Sequence, residues 1–561
     1  MRVDSGTPGV ALFGHRGTSM ALMLGCAALA VLLAGARFGD DAYLSLQGDM
    51  PRHLMNGVFF MDAIHDRPLG SVGEAVEYAR HYYARYPALS IGHHPILLAL
   101  VEAPVFAVFG VSVASARVVS LAFLVIGVVY LYKLVSELFD EWAGAAAAAV
   151  LASSGFLVQM AQGVMTEVPA LSLLVAAVYY SHRFATTGQS RAIVAATLLA
   201  AASAWAKQLS VVVLPSVILY VWWRVGWRRL LRADVVGATL VAAVVVGPLV
   251  PLTMYLSPFN VAMAKGFATS MAESGRDDLA IRAVTQSLNA QFAPAVLLLG
   301  VAGLVGLCVR RHPVALLAGV WIISVGVLSS LIAVAPEPQR FSIYWVPAWA
   351  LCVGALLSRR LGFPRGIVGV MVTGALAMQV ASAANIRLPE AHGYEQAARF
   401  VVDNPRGSTV MFAGDVDTGF FTFFVRKHDL ARKAIVLRAD KLLTTSMMGT
   451  VAAENRISDP GQIAGIIRTF GVGYVVVEDR RSESSVQNWL LDELKTAGYV
   501  VRLTLPTLST DVRLRNVNLL VYEVLNATPA SPDARLDIRL PLVSQQIDVP
   551  VSDLINRKYL R

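Results

Sequence analysis

The 561-residue sequence has little charge. Asp, Glu, Lys and Arg together make up 15% of its residues, whereas an ordinary soluble domain has about 25%. Hydrophobic residues make up 56%, and a chain of this length that folded in water would need more polar surface. The composition therefore excludes a disordered chain, a nucleic-acid-binding domain and a soluble enzyme with one large core. It predicts a polytopic α-helical membrane protein.

Cysteine is also scarce. The sequence has three cysteines, Cys26, Cys308 and Cys352, and each lies in an apolar run. Their spacing matches neither a disulfide framework nor a zinc site, so they say little about redox compartment. No internal repeat is visible, so the repeat signature of many transporters is not apparent.

The few charges are spread unevenly along the chain. Residues 1–384 hold 25 basic and 18 acidic side chains, and the remaining 177 residues hold 22 and 20. We therefore predict a membrane domain over residues 1–384 and a soluble domain over residues 385–561. Most of the net charge of +9 falls in the membrane part, where basic cytoplasmic loops explain it without nucleic acid.

Apolar runs of spanning length recur through the first domain. They predict about eleven transmembrane helices, near residues 20–36, 117–135, 142–159, 168–182, 192–206, 209–223, 235–255, 292–309, 314–334, 342–357 and 366–384. The run 20–36 is longer than the core of a usual signal peptide, so we interpret it as a retained first span.

The positive-inside rule then sets the orientation. With eleven spans and a cytoplasmic N-terminus, the short arginine-rich loops face the cytoplasm. The run 95–110 is therefore predicted to be an interfacial or re-entrant helix in a long outer loop, residues 37–116. Lys207 and Arg340 fall in short outer loops as exceptions, which makes them candidates for function. Chance placement is the alternative at this point.

The C-terminal region has an α/β pattern. Strands are predicted at STVMFAGD, VGYVVVED, YVVRLTL and NLLVYEVL, of which VGYVVVED is expected to be buried, and helices at EQAARFVV, QIAGIIRTFG and VQNWLLDELKTAG. This pattern predicts a small layered domain. The orientation places it outside the cytoplasm.

Acidic and histidine side chains lie at the same predicted outer face. Asp40 and Asp41 follow the first span, and Glu167 begins a later one. A paired carboxylate is suited to general-base catalysis or metal binding, although a solvated anchor or a favourable helix terminus explains it too. His93 and His94 are candidate ligands of a divalent metal, but a site would need ligands from elsewhere because adjacent residues lack helical i, i+4 spacing.

Lys207 and Arg340 add two cations to this face. Basic groups at the membrane boundary suit a lipid-linked phosphate, and a nearby carboxylate suits proton transfer from an acceptor hydroxyl. This is the arrangement needed to move a sugar from a lipid phosphate.

The order of these segments resembles the GT-C integral-membrane glycosyltransferases, in particular the bacterial branch related to protein O-mannosyltransferases and the aminoarabinose transferase of lipid A. The resemblance covers nearly the whole chain. The matching segments are Asp40-Asp41-Ala42-Tyr43, His94-Pro95 to Phe109-Gly110 with Arg117, Glu167-Val168-Pro169, Lys207, and Arg340-Phe341 with Tyr344 and Pro347. The chain departs from the family pattern at His94, where relatives have Lys, and at Glu167, where Asp is common.

The resemblance implies an inverting glycosyltransferase that uses a polyprenyl-phosphate sugar donor in a bacterial inner membrane. It points to Asp40 as the catalytic base. Asp41 and Glu167 would shape the site, and Lys207, Arg340 and His94 would hold the donor phosphate. The acceptor would be a lipid, glycan or protein hydroxyl.

Two other functions remain open from the sequence. A transporter or flippase for a lipid-linked sugar would need polar groups near the bilayer midplane. A scaffold whose tail binds a partner would not require the outer acids and cations to converge.

Overall fold

A computed structural model describes residues 9–44, 49–68, 70–256, 266, 277–333, 338–414, 419–445, 454–482, 484–540 and 545–560. The chain forms two compact units. The first unit comprises Met1–Phe38, Ser120–Val250 and Ala264–Arg387. The second comprises Gly39–Val119, Pro251–Met263 and Leu388–Arg561. The second unit thus combines the first long loop with the tail, whereas the sequence-based boundaries at 384 and 385 remain a prediction.

Helices dominate the chain up to residue 384. They are α1 (Gly9–Ala34), α2 (Met50–Asp66), α3 (Val72–Arg85), α4 (Leu97–Phe109), α5 (Val113–Leu138), α6 (Glu141–Ala152), α7 (Gly155–Gln162), α8 (Glu167–Thr187), α9 (Ser190–Ala206), α10 (Leu214–Val225), α11 (Trp227–Leu230), α12 (Ala233–Val246), α13 (Leu249–Leu256), α14 (Asp277–Gln291), α15 (Pro294–Val309), α16 (Val314–Leu331), α17 (Val346–Leu356) and α18 (Arg365–Ala384). Short 3₁₀ segments cover Gln208–Val213, Pro338–Arg340, Ser342–Trp345 and Arg359–Leu361.

Six of the described helical segments are long and apolar enough to cross a membrane. The number rises to eight if two bent helix pairs each form one span. The pair α6 and α7 bends by 57°, and α14 and α15 bend by 107°. A multi-pass membrane protein is therefore supported, but the predicted count of eleven is not confirmed, because several predicted runs form short or broken helices.

Small residues allow close packing within the first unit. A side chain on Gly303 of α15 would collide with the carbonyl oxygen of Cys352 in α17. A side chain on Gly354 of α17 would collide with the carbonyl oxygen of Ala143 in α6. Glycine at these two positions lets the three helices approach at backbone distance, as is common in membrane helix bundles.

The tail forms an α/β layer. Its helices are α19 (Tyr394–Asp403), α20 (Gly419–His428), α21 (Ala439–Leu442), α22 (Gln462–Thr469), α23 (Ser485–Glu493) and α24 (Val551–Ile555), and its strands are β1 (Thr409–Ala413), β2 (Ile435–Arg438), β3 (Val472–Glu478), β4 (Tyr499–Pro506), β5 (Asn518–Val524), β6 (Arg535–Leu540) and β7 (Gln545–Pro550). The predicted α/β character of this region is confirmed.

Five of these strands form one mixed sheet in the order β2-β1-β3-β5-β4. Strands β1, β2 and β3 are parallel, whereas β5 runs antiparallel to β3 and to β4. The central strands β1 and β3 are buried at every position, as expected for strands covered on both faces. Strands β6 and β7 form a separate antiparallel pair.

The first long loop belongs to the same compact unit as this sheet. Arg426 of α20 makes two hydrogen bonds, of 2.9 and 2.6 Å, to the carboxylate of Asp62 in α2. Arg432 pairs in the same bidentate way with Asp66. The buried Arg85 at the end of α3 donates to the carbonyl oxygens of Arg432, Lys433, Ala434 and Leu554. Buried charge pairs therefore connect loop and tail.

Candidate functional site

The acidic pair lies in a short turn after α1. The carboxylate of Asp40 accepts a hydrogen bond from the Ala42 amide at 2.9 Å, and Arg117 donates to the backbone carbonyls of Asp40 and Tyr43. Arg117 is buried and so fixes the backbone of the turn rather than the Asp40 carboxylate. Among the described residues, the Ala42 amide is the hydrogen-bond donor that reaches the Asp40 side chain.

The two acids of the pair differ in their surroundings. The Asp41 carboxylate lies 2.5 Å from Nζ of Lys427 in α20, and the same Nζ lies 2.5 Å from the carboxylate of Glu395 in α19. Burial opposes the charge of Lys427, but the hydrogen bonds to Asp41 and Glu395 outweigh it and raise the pKa of Lys427. Asp41 therefore holds a salt bridge, and the side chains of Asp40 and Asp41 are both partly exposed.

Glu167, Lys207 and Arg340 converge in the first unit. Oε1 of Glu167 lies 2.5 Å from Nζ of Lys207 and 3.1 Å from Nε of Arg340. The Glu167 side chain is fully buried, whereas 11% and 12% of the two basic side chains remain accessible. The sequence placed these three residues on one face, and the structure brings them into contact.

Local structure explains this convergence. Glu167 is the first residue of α8, and Lys207 directly follows α9 with an extended backbone. Helix α8 packs along α9, and the Ser203 hydroxyl near the end of α9 donates to the carbonyl oxygen of Ala170 in the first turn of α8. The start of one helix thus lies beside the end of the other. Arg340 ends a 3₁₀ turn and approaches the same carboxylate.

The three charges leave this cluster with a formal excess of one positive charge. An Arg fork and a Lys point charge together suit a phosphate, because each donates several hydrogen bonds to oxygen. Nζ of Lys207 also lies 5.7 Å from the centre of the Phe341 ring, a cation–π distance. The Tyr344 hydroxyl is buried and has no hydrogen-bond partner among the described residues.

His94 stands where the resembling family has a lysine, and its charge state differs from that of a lysine. It lies in the second unit, and its Nε2 is 3.5 Å from the Asp49 carboxylate. Burial, followed by the neighbouring His93, lowers the pKa of His94 well below its usual range. The ring is therefore neutral near pH 7, and any phosphate binding there would rely on hydrogen bonding rather than charge. His93 contacts His94 ring to ring at 4.5 Å.

Some residues of these clusters were not predicted from the sequence. Lys427, Glu395 and Asp49 were missed because their partners lie far away in the sequence or on a separate helix. The sequence offered one usable signal, since Asp49 and His53 have the i, i+4 spacing that brings side chains together on a helix.

Part of the sequence is similar to a known protein family. Residues 93–255 match the model described as dolichyl-phosphate-mannose-protein mannosyltransferase. The matched segment contains Glu167 and Lys207. No curated protein matches the sequence.

Most of the chain is similar in structure to solved proteins. The structure of ArnT from Cupriavidus metallidurans bound to undecaprenyl phosphate superposes with a TM-score of 0.52 at 14% identity, over 91% of this chain and 99% of ArnT. This chain has the GT-C fold. The arabinofuranosyltransferase AftD from Mycobacteria gives a TM-score of 0.50 at 15% identity, over 92% of this chain and 42% of AftD. The GT-C resemblance predicted from the sequence is confirmed.

Proposed function

We propose that this GT-C protein transfers a sugar from a polyprenyl-phosphate donor to a hydroxyl group on a lipid, glycan or protein. The reaction would take place at the outer face of a bacterial inner membrane, with the N-terminus in the cytoplasm. The observation that carries the proposal is the cluster of Lys207 and Arg340 around the buried carboxylate of Glu167. The GT-C fold and the mannosyltransferase match over residues 93–255 support it.

The proposed step is a single displacement. Asp40 accepts the proton of the acceptor hydroxyl, and the hydroxyl oxygen attacks the anomeric carbon of the sugar. The bond from that carbon to the phosphate oxygen breaks on the opposite side, which inverts the configuration. The polyprenyl phosphate leaves with the bonding electron pair. The neutral acceptor oxygen forms one bond to the sugar and loses one proton to Asp40, and the phosphate takes up the negative charge that Asp40 gives up.

The basic cluster would stabilise the leaving group. Negative charge grows on the phosphate as the bond breaks, and fixed cations at that position lower the barrier. Lys207 and Arg340 are held in place by Glu167 and keep an accessible fraction of their side chains. In this proposal Glu167 positions the two cations, Asp41 positions the turn that carries Asp40, and His94 contributes a neutral hydrogen bond to the donor.

The lipid that copurifies with the protein tests the proposal. The full chain is purified in mild detergent, and its extracted lipids are identified by negative-ion mass spectrometry. We expect a polyprenyl phosphate or its glycosylated form, with at least about tenfold less in the Lys207→Gln, Arg340→Gln double variant, because both charge-assisted contacts are lost.

Arg183→Gln serves as the matched control, because Arg183 lies in the same unit in an exposed pair with Glu137. We expect this variant to retain the lipid at the wild-type level. Equal lipid retention by all three proteins, with each folded, would remove the phosphate-binding role of the cluster.

A further inference from the structure

A second cluster of side chains lies at the start of α2 in the second unit. Asp49, His53 and His94 each present one ligand atom, and all three atoms lie within 4.8 Å of one another. His53 is buried, with 3% of its surface exposed. The rings of His53 and His94 have their centres 4.7 Å apart.

Helix geometry brings two of these residues together. Asp49 directly precedes α2 and His53 follows one turn later, with the His53 amide donating to the Asp49 carbonyl at 3.0 Å. Side chains spaced by four residues lie on the same helix face. Asp49 and His53 therefore form a pair on one face at the beginning of α2.

A tight turn brings the third residue to that face. The amides of His93 and His94 both donate to the Ser90 carbonyl, and Gly92 has a φ of 90°, which glycine adopts without steric cost. Asn56 of α2 anchors the turn, because its side chain bonds both the amide and the hydroxyl of Ser90, at 3.0 and 3.1 Å. The turn is thus held against α2 independently of the histidine rings.

We propose that Asp49, His53 and His94 bind a divalent transition metal of the Zn²⁺ class. Two imidazoles and one carboxylate are a ligand set that zinc uses in proteins, and imidazole disfavours Mg²⁺ and Ca²⁺. Tetrahedral Zn²⁺ places its ligand atoms about 3.3 Å apart. Nε2 of His94 and Oδ1 of Asp49 are 3.5 Å apart, which is close to this spacing.

The surrounding charges are compatible with a cation. Neutral imidazole is the form that binds metals, and the ring of His94 contacts the rings of His53 and His93. Arg52 lies 3.4 Å from the same Asp49 oxygen and competes with the metal for it. The sequence predicted His93 and His94 as metal ligands. The proposed site keeps His94, replaces His93 and adds Asp49 and His53.

The metal would connect α2 to the turn that precedes α4. Because the proposed function also assigns His94 to the donor, metal binding is measured without donor or acceptor, so that the site and the proposed function can fail separately. The test uses the full-length protein in detergent, treated with a chelator and then loaded with Zn²⁺ alone. Bound zinc is counted by inductively coupled plasma mass spectrometry after gel filtration. A parallel sample loaded with Co²⁺ is measured by visible absorption, which reports the ligand geometry of the wild-type site directly.

We expect about one zinc ion per chain in the wild-type protein, because the described part of the chain holds one such three-ligand cluster. In His53→Gln and Asp49→Asn we expect the affinity to fall by at least about tenfold, because each loses a direct ligand. His65→Gln is the matched control, since His65 is an exposed histidine of the same helix α2. This variant should bind zinc like the wild type.

Two results would overturn the proposal. One is a wild-type protein that retains no stoichiometric zinc and gives no cobalt absorption. The other is zinc binding that is equal in wild type, His53→Gln and Asp49→Asn, which would place the metal elsewhere. If His53→Gln does not fold, Asp49→Asn decides, because that substitution keeps both imidazoles and nearly the same side-chain volume.

Discussion

At the scale of single residues, charges that lie far apart in the sequence are paired in the structure. Glu167 contacts Lys207 and Arg340, which lie 40 and 173 positions away. Asp41 contacts Lys427, 386 positions away. The sequence identified Glu167, Lys207 and Arg340 because charge is rare in apolar surroundings. It did not identify Lys427, because charge is common in the tail and carries no such signal.

Replacing Glu167 tests the energetic role of the basic cluster. Glu167→Gln removes the charge between two largely buried cations, so we expect a loss of about 3–5 kcal/mol in the free energy of unfolding. Thermal unfolding in detergent, followed by the intrinsic fluorescence of tryptophan, measures the change.

Glu137→Gln is the matched control, because the Glu137–Arg183 pair is about one-third exposed on both sides. A surface pair contributes about 0–1 kcal/mol, so its unfolding temperature should stay near that of the wild type. An equally small effect of Glu167→Gln would mean that Glu167 is not what holds the two cations.

At the scale of helices and strands, composition and periodicity predicted much of the fold. The strands β1, β3, β4 and β5 and the helices α19, α22 and α23 were expected from apolar runs and turn residues. The four-residue strand β2 and the β6–β7 pair were not predicted. Short strands bury too few residues to give a periodic pattern, and their positions depend on partners elsewhere in the chain.

The number of membrane spans was also harder to predict from the sequence than their composition. The run 342–357 was predicted as a span, but in the structure a 3₁₀ turn precedes the eleven-residue helix α17. The run 142–159 bends between α6 and α7. Hydropathy measures how apolar a segment is, but it does not detect a bend or a change of helix type, so it overestimates the number of straight spans.

The contact between α2 and α4 gives a prediction at this scale. A side chain on Gly57 of α2 would lie 2.6 Å from Oε2 of Glu102 and 2.7 Å from Cε2 of Phe106, both in α4. Glu102 is fully buried. We therefore expect Gly57→Ala to destabilise the protein by about 1–3 kcal/mol through overpacking, measured as a lower unfolding temperature.

Gly73→Ala provides the control. Gly73 lies in the first turn of α3, is exposed, and an added side chain would find no atom closer than 3.7 Å. Alanine favours a helix over glycine by about 0.5–1 kcal/mol, so this variant should be unchanged or slightly more stable. If both variants behaved alike, the close contact between α2 and α4 would not be present in solution.

At the scale of the whole molecule, the first long loop and the tail form one compact unit. The sequence predicted a boundary near residue 385 from charge density, but it contained no sign that the loop joins the tail. In the sequence, the acidic and basic residues that connect the loop to the tail look like any other charged residues. Their role depends on their burial in the folded protein, and amino-acid composition does not show which charged residues are buried.

Asp62→Asn tests whether this unit depends on the connection. The change leaves the buried Arg426 guanidinium without its carboxylate, so we expect a loss of about 3–5 kcal/mol. Hydrogen exchange should increase in peptides from α2 and from α20 together, although the two helices are more than 350 residues apart.

The control for this experiment is Glu77→Gln. The Glu77–Arg80 pair is about 40% exposed on both sides, and its loss should change exchange little. Faster exchange confined to α2 in Asp62→Asn would contradict the shared stability of loop and tail.

The most direct test of the proposed chemistry follows the donor itself. Purified protein in proteoliposomes is given an isotopically labelled, glycosylated polyprenyl phosphate together with a membrane extract as the source of acceptor. Mass spectrometry then measures the free polyprenyl phosphate released with time.

We predict release by the wild type, and a release rate at least about 100-fold lower in Asp40→Asn, the range for a general base. Asp41→Asn should lose less than about tenfold, as expected for a partly exposed salt bridge. Wild-type protein that leaves the donor chemically intact, or Asp40→Asn that releases it at the wild-type rate, would contradict the account.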